Sequence, residues 1–173
     1  MSEFAVIVNG MPGAGKTTLS SALQRELDLP LISKDAVKEA LADAVIAKLP
    51  TSRLGAIASD AAWALVGLVE EPVIVESFWL AGRDDLFFEK GLRTGGIHRG
   101  VEVWCQAPLS VMRERFRTRP RHFAHQDASR TSEWERFARD ARPISSFPVV
   151  RVDTGGAVDT PALADLIRST MAQ

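Results

Sequence analysis

The sequence predicts an α/β fold: a parallel sheet with helices on both faces. Short β-rich runs recur along the chain, and they are continuously apolar instead of alternating, as in strands buried on both sides. Between them, apolar residues recur every three or four positions, the spacing of one helical face. Strand–helix alternation of this kind closes as a covered sheet with right-handed crossovers.

Taken in order, the strand-like runs are FAVIV at 4–8, a weaker LPLIS at 29–33, PVIVE at 72–76, VEVWCQ at 101–106 and PVVRVD at 148–153. Leu19, Leu23 and Leu27 mark a first helical face, and Val37, Leu41 and Val45 a second. Leu109, Met112 and Phe116 mark a third, and Leu163, Leu166 and Ile167 a fourth. Pro108 and Pro161 suit first helical positions, with Thr160 as the cap of the last helix. One stretch breaks the rhythm. From Arg113 to Arg142 there are nine arginines, two of the three histidines and no lysine. It reads either as a solvated helical face, with arginines paired to Glu114, Glu133, Glu135 and Asp140, or as a lid.

The chain of 173 residues suits one domain, 1–173, with a mobile lid segment at 117–131. At 46% hydrophobic and 25% charged residues it has enough apolar material for a core. A net charge of −1 provides no global attraction to nucleic acid or an anionic membrane. The lone Cys105 excludes an internal disulfide framework, and no membrane span or signal segment is read, so a cytoplasmic protein is expected, monomeric or homodimeric.

GMPGAGKT, residues 10–17, separates the first strand from the first helix and matches G-x-x-x-x-G-K-[ST]. Gly10, Gly13 and Gly15 allow positive φ, so the backbone from Gly10 through Met11, Pro12, Gly13, Ala14 and Gly15 can turn its N–H groups inward around phosphate oxygens. The following helix aims its positive end at the same anions. Lys16 then reaches the β- and γ-phosphates, the Thr17 hydroxyl ligates Mg²⁺, and Thr18 adds a hydroxyl near the α-phosphate. Four fixed positions arise by chance in on the order of one such chain in a hundred, and the strand–loop–helix context is what the motif demands.

A phosphate loop serves switches and motors as well as kinases. A guanine-reading Asn-Lys-x-Asp after a late strand is absent, and the third strand ends in Glu76-Ser77 where a motor would carry Asp-Glu. Asp35 lies just beyond the second strand, where open α/β sheets place ligand-binding groups. There it could accept the proton of an attacking hydroxyl, or simply cap the next helix. Glu76 could hold Mg²⁺ through a water or be a solvated strand end. Phe78 and Trp79 follow at the same sheet edge, either lining an acceptor pocket or packing beneath a helix. Arg115 and Arg119, four apart on one helix, share a face and could meet the equatorial oxygens of a transferring phosphoryl group.

These segments resemble the small P-loop kinases of the nucleoside-monophosphate-kinase type, among them gluconate kinase, chloramphenicol phosphotransferase, zeta-toxin-like kinases and polynucleotide kinase domains. NGMPGAGKTTLS is shared by all of them, LISKDAVKEAL resembles their segment bearing the acceptor-activating aspartate, and RERFRTRPRHF resembles the gluconate kinase lid. VDTGGAVDTPAL resembles the loop that cups adenine. The resemblance implies five parallel strands in the order 2-3-1-4-5, ATP as donor, Asp35 as base, and Thr154 and Gly155 as backbone contacts to the nucleotide. No substrate signature for gluconate, shikimate, chloramphenicol or a nucleoside monophosphate is found between residues 36 and 79. The expectation is an ATP- and Mg²⁺-dependent phosphotransferase acting on an alcohol group of a small molecule. A nucleotide or nucleic-acid 5′-end kinase and a regulatory NTP-binding switch are the alternatives.

Overall fold

Each residue of β1 (Phe4–Gly10) is buried, and alternate side chains join different cores. Phe4, Val6 and Val8 enter the core on one face of the sheet, while Ala5 and Ile7 enter the core on the other. A strand covered on both sides has no reason to alternate polar and apolar residues, and its sequence does not. The computed structural model describes residues 3–45, 47, 49–120, 122–125 and 131–172.

From β1 the chain runs through α1 (Lys16–Leu27), β2 (Leu31–Ser33), α2 (Lys34–Asp43), α3 (Thr51–Val66), β3 (Val73–Glu76) and α4 (Asp85–Gly95). It continues through β4 (Arg99–Gln106), α5 (Leu109–Thr118), α6 (Thr131–Asp140), β5 (Val149–Asp153) and α7 (Thr160–Met171). The five strands are parallel and lie in the order β2-β3-β1-β4-β5, as the resemblance implied. Val8 pairs with Glu76 on one side and Val103 on the other. The carboxyl ends of β1 and β3 therefore open onto one crevice. The edge strand β5 departs from the all-buried expectation: Val152 is buried and Val149 is exposed.

α3 and α4 escaped the periodicity reading and hold much of the second core. Trp63, Trp79 and Phe88 form its aromatic centre, with ring centroids 5.3–6.0 Å apart. Gly91 is required there, because a Cβ at that position would collide with the Trp63 indole.

Three helical faces follow the sequence pattern only in part. In α2 the buried residues are Lys38 and Ala42, and Val45 lies exposed beyond the helix end. In α5 Met112 is buried and Leu109 exposed, and in α7 Leu163 and Ile167 are buried and Leu166 exposed. Pro108 is the N-cap of α5, not its first residue. Asp159, not Thr160, caps α7, accepting a hydrogen bond from Ala162 N at 3.1 Å. An ionised carboxylate is the stronger acceptor for orphan N–H groups and is favoured at the positive end of the helix.

Candidate active site

The phosphate loop sits over the carboxyl ends of β1 and β4. Gly10, Gly13 and Gly15 have φ of 146°, 89° and 74°. At Gly13 any side chain would meet the Met112 carbonyl of α5 as well as an unfavourable φ, so only glycine lets loop and helix approach. The loop is pinned from below: Asn9 Oδ1 accepts from Gly10 N at 2.8 Å and from Trp79 N at 3.0 Å. Met11 and Ala14 are buried, and the Ala14 carbonyl accepts from Thr154 Oγ1 at 2.7 Å.

Lys16 Nζ donates to Gly10 O at 2.9 Å and to Met11 O at 3.2 Å, which folds the side chain back along the loop. Burial pushes its pKa down, opposed by the negative charges of Glu76 and Asp35. At the start of α1 the Leu19 N–H donates to the Gly15 carbonyl at 3.1 Å, so the N–H groups of Lys16, Thr17 and Thr18 precede the helical ladder. Beside them Cys105 is buried, and desolvation pushes its thiol to about 12. It is a packing residue with no thiolate character at neutral pH.

Three connected cavities follow the loop. A groove of about 440 Å³ is lined by Gly15, Thr18, Leu19, Arg115, Gly156 and Val158, among others, between α1 and the chain after β5. A channel of about 260 Å³ is lined by Gly13, Gly15, Lys16, Thr17, Glu76 and Arg115, among others. A deeper cavity of about 380 Å³ is lined by residues of α2, α3, α5 and α6 and by Phe78 and Arg83. Lys16, Asp35 and Arg119 line both the channel and the deep cavity. Gly15, Thr18 and Arg115 line both the groove and the channel.

Asp35 occupies the second position of α2, and the cap is Ser33, whose Oγ accepts from Ala36 N at 3.5 Å. The capping role is thus taken by a neighbour, which leaves the Asp35 carboxylate facing the cavities. Burial raises its pKa, but the cations Lys34, His125, Lys16 and Lys38 together outweigh that and hold it below the usual carboxylate range. Glu76 is buried at the end of β3, lines the channel, and accepts from Ser33 Oγ at 2.6 Å.

The arginines of the 113–142 segment face both solvent and the cavities. Arg113 pairs with Glu135 at 2.8 Å and Arg117 with Glu114 at 3.1 Å, both on the solvated face. Arg115 turns inward, donating through Nη1 to the Thr154 carbonyl at 3.0 Å, and Arg119 closes α5 at the edge of the deep cavity. Of the segment 117–131, expected from the sequence to be a lid, residues 121 and 126–130 lie outside the described residues. His122 meets Asp43 at 3.0 Å and His125 meets Glu39 at 2.9 Å, fastening the chain after α5 to α2.

Other predicted residues are placed less directly. Pro12 lines the deep cavity, and its carbonyl accepts from Trp134 Nε1 at 3.2 Å. Trp79 is buried with Trp63 and lines a smaller neighbouring cavity with Phe78, not the deep one. Gly155 N donates to Asp153 Oδ1 at 2.8 Å, and the groove wall is formed by Gly156, Ala157 and Val158 instead.

Sequence reading missed a buried polar link beneath the loop. Glu102, fully buried on β4, accepts from Asn9 Nδ2 at 2.9 Å, from Ile144 N at 3.1 Å and from Ser145 N at 2.8 Å. Asn9 joins this carboxylate to Gly10, so the chain returning from α6 and the phosphate loop share one anchor. An acidic residue inside an apolar strand was the available signal, since a carboxylate is almost never fully buried without partners. Glu102→Leu would take their acceptor from the half-buried Ile144 and Ser145 N–H groups and leave Asn9 Nδ2 with the Trp79 carbonyl at 3.2 Å alone. At about 1–3 kcal/mol for each unmatched donor, a loss of roughly 2 kcal/mol or more is expected, read as a lower urea midpoint. An unchanged midpoint would show that the anchor carries no weight.

A family model described as an AAA domain (AAA_18) matches residues 6–137. The chain belongs to this family. A shikimate kinase from Cereibacter sphaeroides is 33% identical over 120 residues, covering 66% of this chain and 58% of the relative. The AAA domain chain thus spans little more than half the length of that curated relative. A candidate kinase from Chloroflexus aurantiacus superposes with a TM-score of 0.76 at 26% identity, over 96% of this chain and 98% of that one. The APS kinase CysC of Mycobacterium tuberculosis, in complex with AMPPNP and APS, superposes with a TM-score of 0.58 at 14% identity, over 99% of this chain and 98% of that one. This AAA domain has the fold of the P-loop kinases.

The site of this AAA domain suits a nucleotide with magnesium. Gly13 and Gly15 of the loop and Lys16, Thr17 and Thr18 of the helix start line the channel, the kind of loop-to-helix junction that binds phosphate. Among the described residues no group of three or more His, Cys, Asp or Glu forms a metal cage. Mg²⁺ bound to phosphates needs only one or two protein ligands, and Thr17 and Glu76 both line the channel. Among the described residues no helix is long and apolar enough to cross a membrane.

Proposed function

We propose that this chain is an ATP- and Mg²⁺-dependent phosphotransferase acting on a hydroxyl of a small molecule. The observation that carries this reading is the shared wall of Lys16, Asp35 and Arg119 between the phosphate channel and the deep cavity. A phosphate-binding lysine, a carboxylate and an arginine converge where two reactants would meet.

Bound ATP supplies the transferable γ-phosphoryl group, and Mg²⁺ held through Thr17 and Glu76 offsets phosphate charge. The loop N–H groups and Lys16 bind and orient the β- and γ-phosphates. Arg115, steered by the Thr154 carbonyl, lies between groove and channel, where the nucleoside meets its phosphates. The groove beside Thr154, Gly156 and Val158 takes the base. In the deep cavity the acceptor hydroxyl points at Asp35, and Arg119 covers the transferring group and helps exclude water. The acceptor oxygen forms the new P–O bond, the bond to the β-phosphate oxygen breaks with its electron pair leaving on ADP, and the hydroxyl proton passes to Asp35.

The lowered pKa of Asp35 makes it a weak base that stays ionised at neutral pH. That suits a loose transition state, in which the proton departs late and orientation matters most. Asp35→Asn is expected to keep ATP affinity and a folded protein, because Ser33 provides the cap, with at most a modestly lower melting temperature from the lost attraction to the neighbouring cations, while turnover falls at least about tenfold. Full turnover in that variant would remove Asp35 from the chemistry. The sign of the shift also sets the pH profile: an Asp35 limb lies below the usual value of about 3.9, so the rate does not fall through Asp35 protonation at any higher pH. An acid limb near neutrality that Asp35→Asn abolishes would contradict this assignment.

A further inference from the structure

The helix α3 is apolar on two opposite sides. Leu54, Ala58, Ala62 and Val66, spaced four apart, are buried against the rest of the chain. Ile57, Ala61, Ala64, Leu65 and Leu68 follow one another on the other side at the spacing of a single helical face. Of these, Ile57 is 57% exposed and Leu68 78%. Leu68 continues the last turn, its N–H donating to the Leu65 carbonyl at 3.0 Å. Exposed Phe87 of α4 extends the patch, lining a small cavity together with Ala56 and Asp60. A helix that is apolar all round is normally covered all round, and a clustered patch, unlike a scattered leucine, marks a contact surface.

The charges at the two ends of this face are opposite in sign. Within the sixteen residues of α3 the charged side chains are Arg53 and Asp60, and Asp60 is answered by Lys90 of α4 at 2.9 Å. Arg53 stands in the first turn, and Glu70 and Glu71 follow just past the last. All three are exposed, and among the described residues none of them is in an ion pair. A cation at the start of a helix and anions past its end oppose the helix's own macrodipole. An antiparallel neighbour of the same kind removes that conflict. Its acidic end then lies beside this basic end, and each charge meets the favourable pole of the other helix.

We propose that α3 is a self-association face, through which two copies of this chain pair antiparallel about a two-fold axis. Ile57 of one copy then faces Leu68 of the other, and Ala61 faces Ala64 near the axis. The same register brings Arg53 beside Glu70 and Glu71. Small side chains at the axis let the two helices approach to about 8 Å, the close end of helix packing. One register thus satisfies the apolar, small and charged positions together, which is the self-complementarity a two-fold interface requires. A membrane surface is a poorer cover, because α3 carries one arginine and no lysine. Thr51, Ser52 and Gly55 of α3 line the deep cavity, so pairing also braces a wall of the candidate acceptor site.

The test is sedimentation velocity on the full chain from micromolar to millimolar concentration, with a thermal melt of each variant. The expected result is a concentration-dependent dimer. Ile57→Glu and Leu68→Glu, both at exposed positions, should melt as before and raise the dissociation constant at least about tenfold. Arg53→Glu alone, and Glu70→Arg combined with Glu71→Arg, should each weaken the dimer. Mixed together, those two variants should dimerise as the unaltered chain does, since only the mixed pair matches at both ends. A monomer at every concentration, assembly beyond a dimer, or a dimer indifferent to both Ile57→Glu and Leu68→Glu overturns the proposal. Failure of the mixture to recover overturns the antiparallel register, because a parallel pair would set Arg53 against Arg53.

Discussion

Replacing Lys16 with methionine should lower turnover about a thousandfold while the protein melts as before. The side chain lies along its own loop, donating to the Gly10 and Met11 carbonyls, and its ammonium borders both the phosphate channel and the deep cavity. A charge in that place interacts most strongly when negative charge builds on the transferring group, and a water-poor site magnifies the difference. The burial that depresses its pKa is countered by Glu76 and Asp35, so removing the cation leaves those two carboxylates facing the phosphates with less compensation. Steady-state ADP release, nucleotide affinity by titration and a thermal melt check this together. A variant that retained more than a tenth of the activity would place the phosphate grip elsewhere.

Arg119→Ala should cost a further order of effect similar to Lys16, about a thousandfold in kcat, with a much smaller change in KM for ATP. Arg119 is exposed at the end of α5 and lines both cavities, the position from which a guanidinium can swing over the reacting oxygens. Arg115 is tethered to the Thr154 carbonyl and borders the nucleoside groove, so Arg115→Ala should raise KM for ATP more than it lowers kcat. Arg119→Lys should recover only a small part of the loss, because an ammonium lacks the planar fork that meets two phosphoryl oxygens at once. Steady-state kinetics on the three variants separate these roles. Equal effects of the two alanine changes on kcat and KM would mean that neither arginine is the one closing over the transferring group.

The strands and the phosphate loop were legible because their signals are local. GMPGAGKT carries its own turn geometry, and runs such as FAVIV show by their unbroken apolarity that both faces are covered. Helix faces were less legible. In α2 the regular spacing of Val37, Leu41 and Val45 marked the inward face only approximately: Leu41 packs beside Ala42, but the most buried residues are Lys38, which lines a cavity, and Ala42, which meets Leu54 of α3 and Ala124, while Val45 is exposed. A periodic pattern marks a face, but which face is buried depends on the partner that packs there. The helix cap offers a similar case. Asp35 suits the role by type, yet Ser33 stands at the position where the backbone leaves the strand and so takes it.

By itself, the sequence determined the layered α/β architecture and the grip on a chain of phosphates, since both depend on residues that are neighbours along the backbone. Only the tertiary structure decided what lies opposite that grip. Lys34 and Lys38 from α2, Phe78 after β3, Arg119 at the end of α5, and Trp134 and Phe137 from α6 meet around one cavity. The buried Glu102 likewise acquires its meaning from Asn9 and from the chain at Ile144 and Ser145. Groups far apart along the chain leave no spacing to read. Their chemistry arises when the sheet brings their elements to one edge and water is excluded between them.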